Sequence, residues 1–212
     1  MTGTPLTLAA CSAVLFDLDG VITPTAELHM RAWRETFEPI FVTLGVAPYS
    51  DDDYFHHLDG KPRYDGVAAV LASRGVIRPW GETTDPAGTA TVCSLGNLKN
   101  ELFARRLDEE GVQPYPGSVL LLDALRERGV PLAIVSSSKN APEVLRGAGL
   151  LDRFVEIVDG NVAAATGLPG KPAPDTFLRA AELLGAEPRS TAVVEDAIGG
   201  VAAGAAGAFG LV

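Results

Sequence analysis

The sequence has little of what marks secreted, membrane or metal-cluster proteins. It holds only two cysteines, Cys11 and Cys93, which lie far apart and match no metal-binding spacing. Because disulfides are typical of oxidising compartments, we expect reduced thiols in a cytoplasmic protein and no disulfide framework. No segment approaches the ~20 consecutive apolar residues that a membrane helix needs. The first residues carry no basic segment before their mildly apolar run, so we expect no signal peptide.

Basic residues are also scarce. The chain has 17 lysines and arginines against 27 aspartates and glutamates, which gives a formal net charge of -10 at pH 7. Such a surface repels nucleic acids and anionic membranes, so we exclude both as partners. A small anionic ligand must therefore be attracted locally, by a metal ion and a few basic side chains.

What is present is typical of a globular enzyme. The 212 residues are 47% hydrophobic and 21% charged, and they suffice for one large domain or for one domain with a smaller insert. The stretch AVLFDLDG predicts a first strand that ends near Asp17. A first amphipathic helix follows from about Pro24, because apolar residues there keep roughly one helical face. That face comprises Leu28, Ala32, Phe37, Phe41 and Leu44.

The next stretch contains no predicted strand. Residues 46–62 are polar and rich in turn formers, GVAAVLASRG predicts a second helix, residues 78–96 are rich in Gly, Pro and Thr, and residues 97–110 predict a third helix. We therefore expect a helical domain over residues 24–111. It is inserted after the first strand, as a cap over the carboxyl edge of a sheet.

Strands and helices alternate after Tyr115. The strands VPLAIVSSS, FVEIVDG and TAVVED are separated by segments with helical spacing, and the chain ends in apolar FGLV. Apolar strands that alternate with helices predict an α/β fold, a doubly wound parallel sheet with helices on both faces. The first strand is expected to join this sheet, so residues 1–23 and 112–212 form one catalytic core.

Chemically active side chains fall at the predicted carboxyl ends of these strands, where open parallel sheets bind ligands. The first strand ends in the sequence DLDG, and the next ends in the sequence SSSKN. A loop carries GKP, and the last full strand ends in ED. The residues concerned are Asp17, Asp19, Ser136, Ser137, Ser138, Lys139, Asn140, Lys171, Glu195 and Asp196.

Asp17 and Asp19 are two residues apart, so on an extended strand their carboxylates face the same way. Carboxylates held this close repel each other unless a cation lies between them, and an all-oxygen ligand set suits Mg²⁺. An ionised aspartate can attack phosphorus, with Asp17 as nucleophile and Asp19 as general acid and then base. Ser136 with the amides after it can bind phosphoryl oxygens, and Lys171 can neutralise their charge.

Each motif alone also has an ordinary structural explanation. An Asp-x-Asp pair or the Glu195-Asp196 pair can cap a turn or a helix, a serine run is usually a loop, and Lys171 could be a solvated surface lysine. Their joint occurrence in this order, each at a predicted strand end or in a loop, argues against coincidence.

The four segments FDLDGVITPTAELH, VSSSKN, GKPAPDTF and VVEDAIGGVAAG resemble the motifs of the haloacid dehalogenase superfamily, and most of all its β-phosphoglucomutase-like branch. The resemblance implies a Rossmann-like core with a helical cap. It makes Asp17 the nucleophile and Asp19 the acid and base. It also implies a magnesium site formed by Asp17, the carbonyl of Asp19, Glu195 and Asp196.

The same resemblance assigns substrate-binding residues. Ser136 and Lys171 match the phosphate-binding serine and lysine, and Ser137, Ser138, Lys139 and Asn140 follow as in that branch. Within the cap, Gly60-Lys61-Pro62-Arg63 resembles a loop whose arginine holds the phosphate that is not transferred. The other cap residues that match are Thr25 at the hinge, His29 and Lys99.

Some positions depart from the pattern and leave the sugar undetermined. Asp59 stands where a basic residue is expected, Ala197 replaces a common serine, and the loop over residues 78–96 is longer than usual. Arg63 could instead be a surface arginine, and His29 an ordinary helix histidine.

Three functions stay open. A mutase would move a phosphoryl group between the C1 and C6 oxygens of glucose, a phosphatase would release it to water, and a non-catalytic protein would only bind a small phosphorylated sugar. The loop with Arg63 favours the mutase, since a mutase must bind two phosphates. We expect a monomer, because closing a cap requires no second chain.

Overall fold

The computed structural model describes residues 7–212, which divide into two compact units. One unit, here called the α/β unit, joins the residues up to Pro24 with Val112–Val212. The other, the helical unit, consists of Thr25–Gly111. None of the helices in the described part of the chain is both long and apolar enough to cross a membrane.

The α/β unit is built on a sheet of four parallel strands. They are β1 (Ala13–Phe16), β2 (Leu132–Val135), β3 (Glu156–Val158) and β4 (Thr191–Val194), in the spatial order β3-β2-β1-β4. Strand β1 pairs with both β2 and β4, with Val14 opposite Leu132 and Ala192. The predicted parallel α/β fold is confirmed, and the first strand does join the sheet.

The helical unit contains four α-helices. These are α1 (Thr25–Leu44), α2 (Asp51–Asp53), α3 (Arg63–Ala72) and α4 (Val92–Glu110), with a π-helical turn at Tyr54–Leu58. On α1, Trp33, Phe37 and Phe41 are buried and stack in sequence, with ring centroids 5.5 Å and 5.3 Å apart. This follows from their spacing of four residues, which places them on one side of the helix. Leu44, predicted on that face, is exposed because α1 ends there.

Two predictions for the helical unit were wrong in detail. Residues 46–62 hold α2 and the π-helical turn, because the Asp53 carboxylate accepts a hydrogen bond from the Ser50 amide at 2.7 Å and fixes the first turn. Helix α4 starts at Val92, five residues before the expected position. Its start is fixed by a reciprocal cap, in which the Thr91 hydroxyl accepts from the Ser94 amide at 2.9 Å and the Thr91 amide donates to the Ser94 hydroxyl at 2.8 Å.

Five α-helices cover the sheet of the α/β unit. They are α5 (Pro116–Glu127), α6 (Ala141–Gly147), α7 (Gly160–Thr166), α8 (Asp175–Leu183) and α9 (Ile198–Ala206), with 3₁₀ turns at Leu8–Ala10, Leu151–Arg153 and Pro188–Ser190. Helix α7 was not predicted. It is capped by Asp159, whose carboxylate accepts from the amides of Asn161 and Val162 at 3.0 and 2.9 Å.

Both faces of the sheet are covered. All four residues of β1 are buried, although neighbouring side chains on a strand point to opposite faces. One face packs Leu15 and Val193 against Phe177 of α8 and Ala203 of α9. The final FGLV segment contributes one parallel bridge, from Leu211 to Ala192.

Candidate active site

Three carboxylates meet at the carboxyl ends of β1 and β4. One oxygen from each of Asp17, Glu195 and Asp196 lies within 4.8 Å of the other two. Asp17 directly follows β1, and the other two directly follow β4, its neighbour in the sheet. Parallel strands place their carboxyl ends at one edge, so residues almost 180 positions apart in sequence converge there. Asp17 is buried and Asp196 is exposed.

Lys171 lies among these carboxylates. The Lys171 ammonium donates to Asp17 Oδ1 and to Glu195 Oε2, each at 2.6 Å, and to the Val135 carbonyl oxygen at 3.0 Å. The Lys171 side chain is only 2% exposed. Burial alone would lower the pKa of Lys171, but the attraction of Asp17 and Glu195 outweighs it and raises that pKa. Lys171 is therefore a fixed positive charge.

Lys171 carries one positive charge, which does not balance the three carboxylates of the cluster. Burial holds the pKa of the Asp17 carboxyl well above its usual range; Lys171 opposes this, and the charges of Glu195 and Asp19 add to it. The excess of negative charge and the all-oxygen donor set fit a hard divalent cation better than a softer metal. Asp17, Glu195 and Asp196 would supply its side-chain ligands, and the Asp19 carboxylate lies outside that set.

Two glycines make room for the carboxylates. Gly20 has a φ of +90°, a conformation that glycine adopts without strain, and a Cβ there would overlap the Asp196 carboxylate. A Cβ at Gly200 would likewise overlap the Glu195 carboxylate. Glu195 is also held by the backbone, since its Oε1 accepts from the Ala197 amide at 3.1 Å. These carboxylates are thus packed directly against main chain.

The serine run forms a compact turn after β2. Ser136 is buried, and its hydroxyl oxygen accepts a hydrogen bond from the Ser138 amide at 3.0 Å. The Ser138 hydroxyl in turn accepts from the Asn140 amide at 3.1 Å. Ser137 and Lys139 are half-buried in the same turn. A hydroxyl can donate one hydrogen bond while it accepts another, so Ser136 can also donate to a phosphoryl oxygen.

In the helical unit, two predicted residues meet across two helices. The Lys99 ammonium on α4 contacts Nδ1 of His29 on α1. Lys99 is 3% exposed, and its Nζ lies 5.0 Å from the centroid of a Trp33 ring and 4.8 Å from that of Phe103. His29 stacks on Phe103 with centroids 4.0 Å apart. The face of an aromatic ring attracts a cation, so the rings support a buried charge.

Arg63 begins α3 and is half-buried. Its Nη2 donates to the Asn100 side-chain oxygen at 2.7 Å, and burial lowers its pKa. Within residues 7–212, Arg63 forms no ion pair with a carboxylate. Gly60 precedes it with a φ of +68°, and Thr25 is buried at the start of α1.

Sequence reasoning missed several neighbours of these residues. Trp33 and Phe103 beside Lys99 look like ordinary core positions of amphipathic helices, so nothing in the pattern marks them. Asn100, the partner of Arg63, had a visible signal, because it directly follows Lys99.

A model of the haloacid dehalogenase-like hydrolases matches residues 11–207. The chain belongs to this family. Among curated proteins, it is 45% identical over 218 aligned positions to a β-phosphoglucomutase of Mycobacterium bovis, covering 99% of this chain and 82% of that protein. It is 34% identical to a β-phosphoglucomutase of Bacillus subtilis, covering 90% and 77%.

Solved structures agree. The crystal structure of a β-phosphoglucomutase from Clostridium difficile superposes with a TM-score of 0.76 at 27% identity, covering 95% of this chain and 83% of that one. Within its family the chain therefore lies in the β-phosphoglucomutase-like branch. It is an enzyme of the phosphomutase or phosphatase type.

Proposed function

We propose that the protein is a magnesium-dependent phosphomutase that interconverts β-glucose 1-phosphate and glucose 6-phosphate through an aspartyl phosphate on Asp17. The observation that carries this proposal is the carboxylate cluster, in which Asp17 is buried and held by Lys171 at 2.6 Å. Such an arrangement suits attack by a carboxylate on phosphorus, because the hydrogen bond from Lys171 to one carboxylate oxygen orients the nucleophile.

In the proposed reaction, Asp17 attacks the phosphorus and the sugar oxygen leaves. Asp19 donates a proton to that oxygen. It later removes a proton from the acceptor hydroxyl, whose oxygen bonds to phosphorus as the bond to Asp17 breaks and the carboxylate is regenerated. The Ser136 hydroxyl binds the transferring phosphoryl oxygens and Lys171 neutralises the charge that grows on them, with Ser137, Ser138, Lys139 and Asn140 forming the rest of the phosphate-binding turn. Magnesium, held by Asp17, the Asp19 carbonyl, Glu195 and Asp196, would screen the negative charge that opposes this attack.

Residues of the helical unit are proposed to bind the phosphate that is not transferred. Arg63 hydrogen-bonds to the neutral side-chain amide of Asn100, and its guanidinium can hold a second phosphate with two parallel hydrogen bonds. Lys99, His29, Thr25 and Gly60 are proposed to contact the sugar or its phosphate. Binding of two phosphates is what a mutase requires.

The second candidate is a sugar-phosphate phosphatase that uses the same residues. The exposure of Asp196 favours it, because water reaches this edge of the α/β unit. Hydrolysis would then compete with transfer to a second hydroxyl unless water is excluded.

The proposed setting is a monomer in the cytoplasm. Cys11 and Cys93 are both buried thiols, which suits the reducing interior of a cell. Phosphorylated sugars are produced in the cytoplasm, where such a protein would encounter them.

The test is to supply β-glucose 1-phosphate with magnesium and a trace of β-glucose 1,6-bisphosphate. We expect glucose 6-phosphate to form without a matching release of phosphate. Release of free phosphate alone would replace the mutase by the phosphatase. Chelation should abolish turnover and added magnesium should restore it; unchanged turnover after chelation and dialysis would refute the metal requirement.

A further inference from the structure

The long loop over residues 78–91 contains no helix or strand, yet it is firmly attached to the start of α4. The amides of Val92 and Cys93 donate to the carbonyl oxygens of Pro79 and Trp80, each at 2.9 Å. Inside the loop, the Thr91 hydroxyl donates to the Asp85 carboxylate at 2.6 Å. Hydrogen bonds therefore hold this loop against the start of α4.

Asn97, on the second turn of α4, connects this loop to α3. Its side-chain nitrogen donates to the carbonyl oxygens of Asp85 at 2.7 Å and Thr83 at 3.2 Å. Its side-chain oxygen accepts from the Tyr64 hydroxyl at 2.9 Å. Both ends of the Asn97 amide are thus used, one on the loop and one on the residue that follows Arg63.

Tyr64 and Arg63 lie against the same face of α4. A Cβ at Gly96 would come within 2.6 Å of the Tyr64 ring and 3.2 Å of Arg63 Cδ, so only glycine permits this approach. The Arg63 guanidinium carbon lies 5.9 Å from the Tyr64 ring centroid, and its Nη2 bonds to Asn100. Asn97 and Asn100 are three residues apart, so they share one helix face.

We propose that Tyr64 and Asn97 are positioning residues that use the 78–91 loop to hold Arg63 in the orientation that binds the non-transferred phosphate. This inference rests on the role given to Arg63 in the proposed function. Arginine has many rotamers, and fixing one before the substrate arrives removes part of the entropic cost of binding. The loop therefore raises substrate affinity indirectly, through the orientation of Arg63.

The sharpest variant is Tyr64→Phe, which deletes one oxygen and keeps the ring against Gly96 and Arg63. Its kcat/KM for isomerisation of β-glucose 1-phosphate should fall roughly three- to tenfold, the size of one lost hydrogen bond, mainly through KM. Asn97→Ala should give a similar or larger loss. The rate of phosphate release from acetyl phosphate, which has no second phosphate for Arg63 to bind, should stay unchanged in both variants.

A background variant separates positioning from a general structural role. In an Arg63→Ala protein, adding Tyr64→Phe should cause no further loss, because the hydroxyl acts through Arg63. A loss that persists in that background, or an equal loss with acetyl phosphate, would overturn the inference. Tyr64→Phe kinetics equal to wild type would overturn it as well.

Failure of the proposed function is recognised separately. If the unmodified protein does not isomerise the sugar phosphate, or if Arg63→Ala isomerises it normally, the proposed function of the site is wrong and this inference falls with it. If both of those controls behave as expected and only the Tyr64 and Asn97 variants do not, the positioning role alone is wrong.

Discussion

The α/β unit and the helical unit handle charge in opposite ways. In the first, three carboxylates lie together, and two of them, Asp17 and Glu195, pair with the Lys171 ammonium. In the second, Lys99 is buried beside aromatic rings, and Arg63 hydrogen-bonds to a neutral amide. The carboxylate cluster of the α/β unit has excess negative charge, which a bound cation would neutralise. Lys99 and Arg63 of the helical unit carry positive charge, which a bound anion would neutralise. The overall charge of the chain predicts neither.

The cations of the two sites also differ in how strongly their protein partners bind them: Lys171 in the α/β unit, and Lys99 and Arg63 in the helical unit. All three protons of the Lys171 ammonium are used in hydrogen bonds to protein groups. The charges in the helical unit are held partly by ring faces and amides, which interact more weakly than carboxylates do. A substrate phosphate can therefore compete for Arg63 and Lys99 more easily than for Lys171.

The largest effect is expected from Asp17→Asn. Asparagine still accepts the hydrogen bond from Lys171, but it cannot form an aspartyl phosphate, so turnover should fall by roughly four orders of magnitude or more. The thermal midpoint should not drop, because the change removes one of several repelling charges from a buried cluster. Parallel measurements of isomerisation and thermal unfolding check this. Residual turnover above one per cent would show that another residue carries the phosphoryl group.

The second largest effect is expected at a buried ion pair inside the helical unit. Asp53 and Arg74 are joined at 2.6 and 2.8 Å, and their side chains are 10% and 8% exposed. Asp53→Asn leaves the Arg74 charge buried without its partner, so the free energy of unfolding should fall by about 3 kcal/mol at pH 7. The control is Asp52→Asn, the same change at the neighbouring exposed residue.

This pair also gives a pH dependence with a definite sign. Burial would raise the pKa of Asp53, but the hydrogen bonds from Arg74 and from Ser50 more than offset it and lower that pKa. A carboxyl with a lowered folded-state pKa stabilises the fold above its unfolded value of about 3.9, and this stabilisation is lost as the pH falls through the lower folded value. Urea unfolding should show that the free energies of unfolding of the wild-type and Asp53→Asn proteins converge below about pH 4. A constant difference at all pH values would contradict this.

The smallest effect tests the cations of the helical unit. Lys99→Met keeps the stem of the side chain and removes the charge, so kcat/KM should fall roughly tenfold through the lost charge-assisted contact. The thermal midpoint should hold or rise, because methionine packs well beside Trp33 and Phe103. Arg105→Met, at an exposed cation of the same helix, is the control. A large loss of stability in Lys99→Met with unchanged kinetics would make Lys99 a structural residue.

Much of the α/β unit could be predicted from the sequence because its signals are local. Apolar runs predict β1, β2 and β4, and carboxylates directly after β1 and β4 meet because parallel neighbours end at one edge. Helix α7 was missed although its signals are present, an Asp159 cap and a left-handed Gly167 at its end. Its short, alanine-rich sequence carries no clear apolar face.

The helical unit was harder to predict because its key contacts join distant residues. No local pattern shows that Lys99 meets His29, or that Tyr64 bonds to Asn97. The early start of α4 was missed because Gly96 looked like a loop residue, whereas it serves close packing against Tyr64. Family resemblance suggested the roles of Arg63 and Lys99, but their surroundings depend on tertiary packing.

The hydrogen bonds of Lys171 have a mechanical consequence beyond charge. They reach Val135 at the end of β2, Asp17 after β1 and Glu195 after β4, which are three adjacent strands. One ammonium therefore links the ends of three strands, so each strand end that moves away must break a hydrogen bond to the lysine that the other two also contact. We expect these three strand ends to open and close as one cooperative unit in local fluctuations of the native protein.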